Sequence, residues 1–492
     1  MTDHLGDWSP AQLEANGQKL LAQLREHFRT LRDQPVAASR PAAEIRAALD
    51  ETLPIDPQPF DSILAQTWDQ IRPNLTLWNH PRFHAYFSNS SSGPAMLAEL
   101  LTGAFNVNAM LWQAAPAASA VELTVLQWLA DMLGYPTGGD AVLVDGASLA
   151  TLYALAAARE QLDDLFVREQ GLAGRDLPPL RVYTSDQAHS SVDKAAITLG
   201  IGLANVVRIP TDVTGRLDPQ VLDNQLTTDR QAGSRPVAVV ANVGTTAIGA
   251  IDPVHEIAEV CAQHRVWLHV DAAYGGFWRL AKDVRTHLPD LARADSVVAN
   301  PHKVLLCSME ASALFCRQPD TLTAAFRLVP EYLRTSNDDG SVDFMNYSLQ
   351  LGRQFRALKV WWVIKSFGVT GLAERLDEAA RLAELLREAV RTDPHWSLEN
   401  ESPFPLVCLR YLPADRALEP DRIDTLNEQI HHTVNARGRS YVSHTALASG
   451  YAIRISIGNI HTTEADIDAL WQELVMAADH CDSRSALGRS VS

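Results

Sequence analysis

Between Ala141 and Cys316 the chain carries seven short apolar runs, and their spacing constrains the fold more than any other feature. They are Ala141–Val144, Arg181–Thr184, Val206–Ile209, Val237–Asn242, Val266–Val270, Ser296–Ala299 and Ala313–Cys316. Short runs rich in branched apolar residues and bounded by polar or glycine positions read as strands buried on both faces. Helical patterns fill most of the gaps, as at Ala147–Gln161, Val192–Leu199 and Val254–His264. This alternation predicts an α/β fold: a mostly parallel seven-stranded sheet with helices on both faces. Ligands of such sheets gather at the carboxyl edge of the strands.

The flanks read differently. Ser9-Pro10 predicts a helix start, followed by Leu13, Leu20, Leu21, Leu24, Phe28 and Leu31 on one apolar face. Shorter helices are predicted over Glu44–Leu53 and Phe60–Ile71. Three such helices without a sheet make a poor core, so the first eighty or so residues are expected to pack on something else, a partner subunit being one candidate. Past Gly371, a long helix (Leu372 to about Val390) leads to strands at Leu406–Tyr411, Ser440–Val442 and Ala452–Ile457. Helices near Asp421–Ala436 and Glu464–Ala477 complete a small α+β domain. The expected division is an N-terminal helical segment (1–85), a large domain (86–370) and a small C-terminal domain (371–492).

Composition removes several function classes. The 492 residues carry a net charge of −17, which disfavours nucleic acid and anionic membrane as partners. No apolar run approaches the roughly 20 residues of a membrane span. The first residues, Met1–Asp7, lack the basic and apolar regions of a secretory signal. Five scattered cysteines without a C-x-x-C read as reduced thiols of a cytosolic protein. No metal pattern is present in the sequence, and His431-His432 is expected to be a solvated pair on a helix.

Chemistry concentrates where the apolar runs end. Asp271 closes Val266–Val270, and Lys303 follows Ser296–Ala299 in Asn300-Pro-His-Lys303. Either alone reads more readily as half of a structural ion pair. Presented together at strand ends, they suit pyridoxal phosphate, whose aldehyde forms a Schiff base with a lysine and whose ring nitrogen pairs with a carboxylate. Gly146-Ala-Ser148 lies between a strand and a helix, where backbone N–H groups approach a phosphate. It is neither a P-loop nor a dinucleotide fingerprint. His189 follows another strand end and offers a ring to stack on a flat cofactor, and Gly244-Thr-Thr246 offers a hydroxyl.

From about Leu77 to the last helix the chain resembles the group II pyridoxal-phosphate-dependent amino-acid decarboxylases, most closely the aromatic-L-amino-acid decarboxylases. The resemblance rests on Asn79-His-Pro-Arg-Phe83, Thr184-Ser-Asp-Gln-Ala-His-Ser-Ser191, Leu268-His-Val-Asp-Ala-Ala-Tyr274, Asn300-Pro-His-Lys303, Leu351-Gly-Arg-Gln-Phe-Arg-Ala-Leu-Lys359 and Arg454-Ile-Ser-Ile-Gly-Asn459. It implies fold type I, a homodimer with sites at the subunit interface, and a cytoplasmic enzyme releasing CO2 and an amine. It makes Lys303 the cofactor-bearing lysine and Asp271 the partner of the ring nitrogen. His189 would stack on the ring opposite Ala273. Ala147, Ser148 and Asn300 would bind phosphate, and Thr246 and His302 would line the reacting end. Tyr332 matches the loop tyrosine that protonates the product carbon, in a lid running on through Thr335–Ser341. Tyr86, Phe87, Asn89, Asn108, Met110 and His189 would line the substrate pocket. The expected substrate is an aromatic L-amino acid. Asn89 stands where the family carries a hydroxyl residue, and Asn108, on the partner-facing wall with Met110, weakens the aromatic assignment and leaves a smaller or more polar amino acid as the alternative. The rivals are the family's aldehyde-synthase branch, against which Tyr332 argues, and a catalytically silent scaffold, against which the Lys303, Asp271 and His189 set argues.

Overall fold

All seven apolar runs form strands, because branched side chains pack well on a pleated surface covered on both sides. The computed structural model describes residues 7–328, 340–413 and 419–489. In chain order the described strands are β1 (Phe83–His84), β2 (Ala141–Val144), β3 (Leu180–Ser185), β4 (Val206–Ile209), β5 (Arg235–Asn242), β6 (Trp267–Asp271), β7 (Ser296–Ala299), β8 (Ser312–Cys316), β9 (Trp396–Leu398), β10 (Leu406–Tyr411), β11 (Tyr441–Leu447) and β12 (Gly450–Ser456). The large sheet has the order β2-β8-β7-β6-β5-β3-β4. Its pairs are parallel except at β8, which runs antiparallel to both β2 and β7. A parallel crossover needs a dozen or more residues, usually with a helix. The β7–β8 connection of twelve residues holds only the one-turn helix Pro301–Val304 and no crossover helix, and the chain turns back. That short return carries Lys303.

The small sheet has the order β1-β11-β12-β10-β9. Its strand β1 comes from the N-terminal segment and pairs in parallel with β11, a contribution the two-residue length of the strand hides in the sequence. Helix Ala357–Thr392 joins the two cores. Its Leu372 and Leu376 pack with the large sheet, while Leu382, Leu386 and Val390 pack under the small one. It begins fifteen residues before the expected Leu372 start, since Val360-Trp-Trp-Val-Ile364 is apolar on every side and shows no helical period. Gly368, at φ 62°, breaks it near its first third. The N-terminal helix Pro10–Arg29 starts on a capping box at Ser9 and Gln12 and buries none of its residues. His431 corrects an expectation. It is 6% exposed, with Nε2 at 3.2 Å from the Val442 carbonyl and Nδ1 at 2.8 Å from the Tyr451 hydroxyl; only His432 faces solvent. All five cysteines are buried and unpaired. Among the described residues no helix is long and apolar enough to cross a membrane.

Buried imidazoles give the fold a pH dependence. His84 on β1 and His269 on β6 are fully buried, and burial lowers both from 6.5 to about 4. The unfolded imidazole therefore binds a proton near pH 6.5 and the folded one only near 4. Between those values the unfolded state holds more protons, so stability falls as pH drops through the window. His84→Phe should flatten the decline of the cofactor-free chain's Tm between pH 6.5 and 4; a parent-like slope in that variant would remove His84 from the account.

Candidate active site

Strands β2, β3, β5, β6 and β7 run the same way, so their carboxyl ends meet at one edge of the sheet. The loops there enclose a cleft of about 280 Å3 lined by Asp145, Gly146, Ala147, Ser148, His189, Thr246, Asp271, Ala273, Asn300, His302 and Lys303, with Phe87 reaching in from the N-terminal side. Register places Asn242 beside Asp271 and Asp271 beside Val298. The chain then folds tightly. Asp271 Oδ1 accepts from the Ala273 N–H at 3.1 Å, and Asn300 N–H donates to the Ala273 carbonyl at 3.2 Å. Gly244 is required here, because its φ is +89° and a Cβ would press on Tyr274, Phe404 and the Gly275 nitrogen.

Lys303 is a perturbed cation of the cleft. Burial pushes its amine below the ordinary lysine value; Asp271 opposes the shift and Arg454 adds to it. Desolvation outweighs the carboxylate, so the amine gives up its proton more readily than a free lysine does. Among the described residues neither Lys303 nor Asp271 is in a direct ion pair, which removes the reading of the two as a structural salt bridge. The amine instead lies 4.7 Å from the centre of the Phe87 ring, which stacks on Tyr274 at 3.9 Å.

His189 is held by the helix that follows it. Its Nδ1 accepts from the Ser191 N–H at 3.1 Å and lies 3.0 Å from the Ser191 hydroxyl. With Nδ1 an acceptor, the neutral ring carries its proton on Nε2. Burial lowers its pKa against the pull of Asp271. His302 is likewise neutral, lowered to about 4 by burial, with Nδ1 at 2.7 Å from the Ala311 carbonyl.

The remaining groups suit a flat phosphorylated aldehyde. Helix Ala147–Glu160 opens with no side-chain cap, leaving its N-terminal dipole to an anion. Asn300 is 1% exposed and its Oδ1 has no partner among the described residues, an orphan that a hydrogen-bonding ligand would satisfy.

Other expected residues lie elsewhere. Asn89 turns its amide to the His302 carbonyl. Tyr86 is half exposed and stacks on Trp78. Asn108 Oδ1 accepts from the Arg353 N–H at 2.9 Å, and Met110 packs near Leu111 and Met345. None of these four lines the chain's own cleft. Tyr332 and residues 335–339 lie outside the described residues. Arg454 on β12 went unassigned in the sequence. It donates from Nε to the Thr246 carbonyl at 2.8 Å, and its guanidinium sits 4.9 Å from the Phe87 ring centre. A charge inside the apolar run Ala452–Ile457 was the available signal.

The family described as "Pyridoxal-dependent decarboxylase conserved domain" matches residues 41–412. Tryptophan decarboxylase TDC2 of Camptotheca acuminata is 32% identical over 96% of this chain and 95% of its own. Phenylacetaldehyde synthase of a Rosa hybrid cultivar is 32% identical over 96% of this chain and 94% of its own. The crystal structure of Oryza sativa TDC with PLP and tryptamine superposes with a TM-score of 0.92 at 30% identity, covering 97% of this chain and 99% of that one.

Proposed function

The chain belongs to the pyridoxal-dependent decarboxylase family, and from that premise we propose that it converts an aromatic L-amino acid to its amine and CO2. It is a pyridoxal-phosphate-dependent decarboxylase of fold type I. The observation that carries the reading is a desolvated Lys303 and an unpaired Asp271 at neighbouring strand ends of one cleft. The aromatic assignment is supported by relatives named for tryptophan and tyrosine. Asn108, the residue that favours a polar substrate, spends its Oδ1 within its own chain.

Bound pyridoxal phosphate supplies an electron sink for the pair left when CO2 departs. Each residue has a proposed task around it. Lys303 would hold the aldehyde carbon and later release the amine. Asp271 would keep the ring nitrogen protonated, a carboxylate favouring the cationic form beside it. Ala147, Ser148 and Asn300 would fix the phosphate, while His189, facing Ala273 across the ring, would keep it flat. Thr246 and His302 would border the reacting carbon, and Phe87 would shield it from water. Tyr332 would deliver the proton to Cα.

We also propose a homodimer, in which Tyr86, Asn108 and Met110 serve the partner's site, and a cytoplasmic location, which the five unpaired cysteines support. Leu13, Leu20 and Leu21 of the unburied first helix are exposed apolar residues that a second subunit would cover. Removing residues 1–75 should leave insoluble or inactive protein; a soluble, active monomer would contradict the dimer.

An amino-acid panel assayed for CO2 and amine tests the substrate, with aromatic residues expected to lead. Tyr332→Phe then separates the amine route from aldehyde formation, the chemistry in the name of one relative. With its phenolic proton gone, amine output should fall by ~10²-fold, the usual scale for a positioned general acid. Aldehyde, ammonia and peroxide should rise under air. Amine at the parent rate would remove Tyr332 as the acid.

A further inference from the structure

Segment Gly352–Lys359 buries three cations, and each meets a carboxylate from a different element. Arg353 pairs with Glu122 at 2.6 Å, Lys359 with Glu99, and Arg356 with Asp145. The first pair ties this segment to helix Pro116–Leu133, and the second ties it to helix Gly93–Phe105. The third pair is different, since Asp145 lines the cleft. It sits immediately before Gly146, at the mouth of the uncapped helix Ala147–Glu160.

A carboxylate there works against the chemistry proposed for this turn. Helix N-termini attract anions through free N–H groups and dipole, and a fixed negative charge beside them repels a phosphate dianion in a low-dielectric cleft. Arg356 meets that charge directly. Its Nη2 donates to Asp145 Oδ1, while Gln350 Nε2 donates to Oδ2. Both carboxylate oxygens are thus engaged by residues of the 350–356 stretch. The Arg356 side chain is 5% exposed, so its field is poorly screened. Its Nε and Nη1 have no partner among the described residues, which leaves no second anion to cancel it.

We propose that Arg356 is a positioning residue: it neutralises Asp145 so that the Gly146–Ser148 turn can accept the cofactor phosphate. This rests on the reading that the turn binds that phosphate. The role is electrostatic and acts through Asp145, so it concerns the phosphate and leaves the attachment of the aldehyde to Lys303 alone.

Pyridoxal phosphate and pyridoxal share the aldehyde and differ only in the phosphate, which makes the pair the probe. Each is titrated into cofactor-free, full-length chain, with the Kd read from quenching of tryptophan fluorescence. Arg356→Gln should weaken pyridoxal phosphate about tenfold or more, the scale of a unit charge left uncompensated near a bound anion, while pyridoxal is unchanged. Adding Asp145→Asn to that variant removes the stray carboxylate and should return pyridoxal phosphate to the parent's range. Equal losses for both ligands, no loss for either, or no recovery in the double variant would each overturn the proposal. Should Arg356→Gln fail to fold, Asp145→Asn alone decides: it should bind pyridoxal phosphate at least as tightly as the parent, and weaker binding would overturn the neutralising role. Ser148→Ala checks the premise separately. It should weaken pyridoxal phosphate and spare pyridoxal; if it does not distinguish the two, the phosphate lies elsewhere and the fault is in the assignment of the turn.

Discussion

Desolvation of one amine sets the terms for the rest of the site. Lys303 is half-buried just past the end of β7, where loss of water lowers its pKa more strongly than Asp271 raises it. An isolated buried ammonium is costly, and proteins meet that cost by pairing the ion or by shifting its pKa. This chain does the second. Asp271 is near enough to oppose the shift, yet no direct ion pair forms, so the amine and the carboxylate stay available to a third group between two neighbouring strands. Desolvation lowers the His189 and His302 imidazoles as well. The cleft therefore gathers several groups whose pKa values are displaced by desolvation, as functional sites often do.

The parallel sheet makes this possible. Strands that run the same way deliver their following loops to the same edge, so residues far apart in sequence meet without long excursions. Strand β8 reverses after a Lys303 segment that holds no crossover helix, and that return keeps the lysine against the sheet edge. Around this edge the chain spends charge freely. Breaking a fully buried pair such as Arg353–Glu122 costs about 3–5 kcal/mol, because the remaining charge has no solvent to replace its partner. Such pairs bring little net stability while intact and tolerate little rearrangement, a property suited to holding loops at a cleft.

Much of this architecture was legible in the sequence because two-sided burial imposes a pattern. Val206–Ile209 and Ser296–Ala299 coincide with their strands, and Val254–His264 with its helix. Elements with ambiguous burial escaped. Strand β1 is too short for any period, and Val360–Ile364 is apolar on all sides. His431 looked solvated because its neighbour is, but its contacts to Val442 and Tyr451 come from the two strands that follow its helix and pack against it. At the site, residues that end strands were readable, since the strand fixes where the next side chain goes. Arg454 and Glu310 border or line the cleft through tertiary packing, and the charge of Arg454 inside its apolar run is the one local sign of it. Asn108 and Met110 fall outside the chain's own cleft, as residues proposed to serve a partner's site would.

The central claim is that Lys303 carries the cofactor. Borohydride reduction of the pyridoxal-phosphate-loaded chain locks the lysine–cofactor bond, and peptide mass mapping then locates it. The account predicts the phosphopyridoxyl group on Lys303. Its recovery on Lys359 or Lys365 instead would contradict the assignment and the site built around it.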